Sequence, residues 1–221
     1  MIRDKYIALA YRVAALIWTW FGIKDLTLRS AMYYTNMSNY LAFAIFAVLV
    51  VRTALDLKNG RHGNAGYFPV IGLIAAIDLL LTLVGFWALL APISAMSDDF
   101  TYGFMNMTLH TYVPLLCFVD FLLFSGNKSL KYKQIYWVLL FPLAYVAFVS
   151  VAGLLGKTYE SPSEPGIVRR FPYFFIDYDQ VGIGVLGYVA GLSLFFIVLA
   201  HGLYLFDSKV DKEGIFRQKK K

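Results

Sequence analysis

Residues 33–57 read YYTNMSNYLAFAIFAVLVVRTALDL, a cluster of hydroxyl and amide side chains that opens into an apolar run. The apolar part decides the fold class. A helix needs about 20 apolar residues to cross a hydrocarbon core of about 30 Å. This run is one of six such runs, near 6–24, 36–57, 68–91, 101–124, 133–155 and 181–205. Of 221 residues, 59% are hydrophobic and 15% charged, and the mean hydropathy is +0.62. A soluble domain of this length has no means of covering so much apolar surface. Lipid is therefore the solvent, and each run must be a helix because lipid offers the backbone no hydrogen-bond partner. The expectation is an all-α, polytopic membrane protein: a single six-helix transmembrane domain over 1–221, with an outer loop at 156–180.

Basic residues orient the bundle. Arg3, Lys5, Arg52, Lys58, Arg61, Lys128, Lys131, Lys133 and the tail Lys209, Lys212, Arg217, Lys219, Lys220 and Lys221 fall on one side. Only Lys24, Arg29, Lys157, Arg169 and Arg170 fall on the other. Positive charge is retained on the cytoplasmic side, so both termini are expected inside, in what reads as a bacterial plasma membrane. The first run carries Arg12 in its middle and no small-residue cleavage site, unlike a signal peptide. The net charge of +6 then reflects contact with anionic membrane lipids; no motif for nucleic acid accompanies it. Cys117, the single cysteine, lies within the fourth run and reads as packing.

The loop 156–180, GKTYESPSEPGIVRRFPYFFIDYDQ, is polar in its first half and aromatic in its second. FPYFFIDYD is too aromatic for water and too short to span. An interfacial aromatic belt is the plainer reading, and a lid folded over the bundle is the alternative.

Charged side chains at a helix centre cost about 2.5–3.5 kcal/mol each, so each asks for a partner or a role. Arg12, Asp78 and Asp120 fall in the same half of the membrane when depth is reckoned at about 1.5 Å per residue. They read as a structural ion pair that holds helix order, with Asp120 the first partner of Arg12 and Asp78 the second. Toward the outer face lies a second set. Thr35, Ser38 and Asn39 share a face of the second helix, and Asn106 and His110 share a face of the fourth. Thr35 and His110 are expected to meet. The simpler account of the hydroxyl cluster is an N-cap made by Thr35, Asn36 or Ser38.

Several chemistries are excluded. Three histidines split between two sides make no metal site, and no two stand level as haem ligands would. No GxSxG, HExxH or phosphate-binding glycine loop occurs. No metal and no cofactor is expected.

YYTNMSNYL, LHTYVPLLCFVDFLLF and FPYFFIDYDQVG together resemble the prokaryotic six-pass membrane proteins related to the androgen-induced-gene family, whose animal members are membrane threonine hydrolases of fatty acid esters of hydroxy fatty acids. The resemblance spans nearly the whole chain. It implies Thr35 as nucleophile and His110, in HTYVP, as base. The family pattern has an asparagine three residues after the threonine. Here Ser38 stands in that place and Asn39 follows, so Ser38, Asn39 and Asn106 remain alternatives for oxyanion donors, with Asp177 for orienting the imidazole. The substrate so implied is a lipid ester. The rival reading is a non-enzymatic small transporter, or a lipid- or partner-binding scaffold, that relies on Arg12, Asp78 and Asp120.

The orientation is testable by cysteine accessibility in the Cys117→Ser background. Labels at His62→Cys and Ser163→Cys should react from opposite sides of the membrane; reaction from one side contradicts the assignment.

Overall fold

The computed structural model describes residues 2–27, 30–92, 98–125, 129–160 and 166–209. Arg29, Lys128, Ser163, Lys212, Arg217, Lys219, Lys220 and Lys221 lie outside them. The chain is all-α in its spans, with six helices among the described residues long and apolar enough to cross a bilayer: α1 (Lys5–Ile23), α2 (Tyr34–Lys58), α3 (Pro69–Ala88), α4 (Phe104–Phe124), α5 (Tyr132–Leu154) and α6 (Gly184–Lys209). Each begins and ends within a few residues of its apolar run. The helix ends follow local chemistry. Asp4 caps α1 by accepting the N–H groups of Tyr6 and Ile7. Pro69 opens α3, where its missing N–H costs nothing.

Short connections place consecutive helices antiparallel. One core joins Leu73, Ile77, Phe121, Ile135, Phe196 and Ala200, from α3 to α6. A second joins Ala15, Ala42, Phe46, Leu79 and Val113, from α1 to α4. α3 takes part in both and is the middle of the bundle. The side chains facing outward, among them Ile17, Val48, Val51, Leu154, Leu186 and Leu194, are large and apolar, as a lipid-facing surface must be. The chain is a polytopic membrane protein.

Near the end of the bundle that holds Lys5 and Lys209, the Arg12 side chain is wholly buried. Its Nε donates to Asp120 Oδ1 at 2.8 Å and its Nη2 to Asp120 Oδ2 at 3.2 Å. Nη1 donates to Thr53 Oγ1 at 3.2 Å and to the Ala65 carbonyl at 2.9 Å. One guanidinium therefore ties α1 to α4, α2 and the α2–α3 connection, using the forked geometry that only arginine offers. Nearby, Lys5 and Tyr67 both donate to Asp56 Oδ2, at 2.7 and 2.8 Å.

Asp78 corrects the expectation that made it the second partner of Arg12. Every Arg12 bond goes elsewhere, and Asp78 sits at mid-helix in α3 beside the Tyr34 hydroxyl, on the side of the opposite end. It is fully buried, and neither carboxyl oxygen completes a hydrogen bond among the described residues. Counting residues along one helix gave its height; it could not give its direction around the axis.

Breaking a buried pair strands the partner charge, at a cost of about 3–5 kcal/mol. Arg12→Ala should therefore lower Tm in detergent markedly, whereas the paired change Arg12→Met with Asp120→Leu should restore most of it. A single variant as stable as wild type contradicts the tie.

Candidate functional site

The opposite end of the bundle is built around the first turn of α2. Its N-cap is Tyr33, which makes no side-chain cap bond, so Thr35 lies within the helix at its second position. None of the three proposed residues acts as the cap. The Asn36 side chain donates back to the Ser30 carbonyl at 2.6 Å. Ser38 Oγ donates to the Thr35 carbonyl at 2.9 Å, the usual bond of a serine inside a helix. An acceptor for the free helix end comes instead from the long loop: the Tyr173 hydroxyl takes the Tyr34 N–H at 3.2 Å.

α4 departs from α-geometry where it faces α2. Residues Thr108–Tyr112 form a π-turn, in which the Val113 N–H reaches back five residues to Thr108. The next residue, Pro114, has no N–H to give. The Leu109 carbonyl is thus left without a helical donor. Asn39 supplies one: its Nδ2 donates to Leu109 O at 3.0 Å and to Thr35 O at 2.7 Å. Both amide hydrogens are committed to main chain, and Asn39 is fully buried. The hydrogens of Asn39 Nδ2 and Ser38 Oγ, expected as alternatives for oxyanion donors, are thus taken by carbonyls. These bonds hold α2 in register with itself and with α4.

His110 sits in that π-turn. Its Nδ1 lies 3.0 Å from the Asn106 carbonyl. A carbonyl only accepts, so Nδ1 carries the hydrogen and, in the neutral ring, Nε2 is left as acceptor. The ring packs against Phe86 with centroids 4.4 Å apart. Asn106 thus orients the imidazole through its main chain. Asp177 does not: one carboxyl oxygen accepts the Asp179 N–H at 2.9 Å and the other the Gln180 amide at 2.6 Å. It caps the short helix Tyr178–Val181 and is buried there.

Between these elements lies a cavity of ≈460 Å³ with mostly apolar walls, of the size that takes one acyl-chain-sized ligand. Thr35 and His110 both line it, with Tyr34 from α2, Leu81, Thr82, Gly85 and Phe86 from α3, Tyr145 and Val146 from α5, and Leu192, Ser193 and Phe196 from α6. Phe171–Ile176 close it from the loop. The aromatic half of the loop is therefore a lid rather than a belt, because Phe171 and Ile176 are almost completely buried against the bundle. Arg170 and Asp179 latch it: Arg170 Nε donates to Asp179 Oδ2 at 2.7 Å, and the guanidinium holds that carboxyl below the usual carboxylate range. The preceding half carries a two-residue antiparallel ladder, β1 (Tyr159–Glu160) with β2 (Val168–Arg169).

Tyr173 was not among the residues singled out from sequence. Its ring stacks on Phe175 with centroids 5.3 Å apart and the planes 8° from parallel. Its hydroxyl lies beside Thr35, and burial raises the pKa of the phenol, so the group stays protonated. The only advance sign was the density of aromatics in 171–178.

Comparison with family models, with curated proteins and with solved structures returns no match.

The lid is seated on Gly153 of α5. A Cβ there would stand 2.7 Å from Phe171 Cε1 and 2.8 Å from the Arg170 carbonyl oxygen. Gly153→Ala must push the lid outward, and overpacking of this kind costs about 1–3 kcal/mol. Trypsin should then cut after Arg169 or Arg170 at least about fivefold faster, which is the population change about 1 kcal/mol produces, with the six helices intact by circular dichroism. Unchanged cleavage contradicts the seating.

Proposed function

We propose that the protein is an intramembrane threonine hydrolase that cleaves a lipid ester, with Thr35 as nucleophile and His110 as base, both termini cytoplasmic and the cavity opening toward the outer leaflet. One observation carries the reading. Thr35 and His110, from different helices, line a single apolar cavity, and the imidazole there has its Nδ1 hydrogen engaged by a carbonyl. A neutral histidine so held presents an acceptor, which is what an unactivated hydroxyl requires. The cap explanation of Thr35 loses its support, since Thr35 caps nothing. The resemblance of three sequence stretches to six-pass threonine hydrolases points the same way.

The chemistry runs in two halves. Nε2 of His110 takes the proton of Thr35 as Oγ1 attacks the ester carbonyl, giving a tetrahedral oxyanion. Collapse breaks the bond to the leaving alkoxide, which takes the proton from His110 and departs as alcohol, leaving an acyl ester on Thr35. Water then attacks that ester while giving a proton to Nε2. Collapse expels Thr35, which recovers the proton, and the fatty acid leaves. The apolar walls hold the acyl chain, and the lid limits water around the reacting carbonyl.

Hydrolysis of a long-chain aryl ester by purified protein tests the proposal. Thr35→Ala and His110→Ala should each abolish turnover and fluorophosphonate labelling without lowering Tm, and the double variant should be no worse than either, since groups acting as a unit are not additive. Turnover should fall as acid protonates His110, because a protonated ring cannot accept the threonine proton. Full turnover in folded Thr35→Ala protein rejects the hydrolase and favours a lipid-binding scaffold.

A further inference from the structure

We infer that the Tyr173 hydroxyl is the oxyanion donor of this site, so that the catalytic constellation is complete only when the lid is closed; as a statement about catalysis this rests on the hydrolase reading. Donors for a developing oxyanion must stand free beside the nucleophile. Two of the three side-chain candidates near Thr35 are removed, because Ser38 Oγ and both hydrogens of Asn39 Nδ2 are spent on carbonyls, which leaves Asn106 as the rival. Tyr173 is different. It lines the cavity, and its oxygen already accepts the Tyr34 N–H at the helix end. The same hydroxyl stands within hydrogen-bonding reach of Thr35, so it lies at the nucleophile itself. A phenol that accepts from a helix N-terminus is also a stronger donor, since hydrogen bonds in series polarise one another.

The hydroxyl is placed by contacts of the closed lid. The stack on Phe175 and the edge contact with Tyr33 at 6.2 Å between centroids hold the ring, and the lid that carries it is seated on Gly153 through Phe171 and Arg170. The nucleophile and base come from helices, but the group that receives the charge comes from the loop. An open lid leaves Thr35 and His110 in place and removes only the stabilisation of the tetrahedral intermediate. No bond is made or broken at Tyr173; its O–H donates a hydrogen bond that strengthens as the carbonyl oxygen gains charge.

The test separates this role from simple capping of α2. Tyr173→Phe should lower kcat by about a hundredfold to a thousandfold, the usual loss for one oxyanion donor, with KM little changed. The affinity for a long-chain trifluoromethyl ketone, which forms the charged adduct, should fall by the same factor. Binding of the matching uncharged ether should not change. Gly153→Ala, which moves the lid and keeps the phenol, should show the same pattern in milder form and serves if Tyr173→Phe does not fold. A lowered Tm with kcat and ketone affinity intact would mean that Tyr173 only caps the helix, and would overturn the inference. Wild-type protein without turnover overturns both this and the hydrolase reading; normal turnover in Tyr173→Phe overturns this one alone.

Discussion

Lipid gives the backbone nothing to bond to, and the structure is organised by how each break in the helical ladder is repaired. Pro114 and the π-turn before it leave the Leu109 carbonyl bare, and Asn39 fills it from another helix. Within the α-helical part of α4 the Leu116 carbonyl also receives the Tyr11 hydroxyl at 2.7 Å, which joins α1 to α4. The Ala65 carbonyl, in the connection before α3, receives Arg12. The free end of α2 is met by Tyr173. Each of these bonds comes from an element other than the one it meets, so each also sets the distance and rotation between two elements. Polar side chains within the spans are in this way the joints of the bundle, while the apolar ones supply its packing.

What is left after the repairs defines the site. Ser38, Asp177, Arg12 and the amide hydrogens of Asn39 are committed to main chain or to a partner. Thr35, beside the Tyr173 hydroxyl, and His110 line the same cavity. The π-turn connects the two roles. It frees a carbonyl that fastens α2 to α4, and it brings the His110 ring onto the Asn106 carbonyl. A straight α-helix through 108–114 would lose the fastening and the ring orientation together. Asp78 stands apart from both accounts, buried beside the Tyr34 hydroxyl with neither oxygen in a completed hydrogen bond among the described residues. The structure offers no physical reason for that expense.

The two ends of the bundle differ in stiffness for a reason visible in their contacts. The Arg12 end is held by buried charge-assisted bonds among three helices and a connection, which are costly to open singly. The lid end is held by aromatic stacking, by a glycine contact and by the Arg170–Asp179 pair, which is about half exposed and so worth little. Low-energy opening is therefore confined to the segment that covers the cavity. Such an arrangement fits the proposed entry of a lipid ester.

The sequence alone determined the solvent, the helices and their number, because hydropathy and run length are local quantities and the bilayer imposes a single answer on them. It also identified Thr35, His110, Arg12 and Asp120 as worth explaining, since hydroxyl, imidazole and charge are costly in lipid wherever they point. Only the tertiary structure decided which of those groups are joints and which are free. Asn39 and Ser38 read as donors for chemistry until Leu109 and Thr35 were seen to take their hydrogens. Asp78 read as a partner of Arg12 until its direction around α3 was known. Tyr173 was one aromatic among several until the loop was seen folded over α2. Depth follows from counting residues along one helix. Direction depends on how two helices pack, and that rests on contacts between residues far apart in the chain: 70 positions for Asn39 and Leu109, 108 for Arg12 and Asp120, and 139 for Tyr34 and Tyr173.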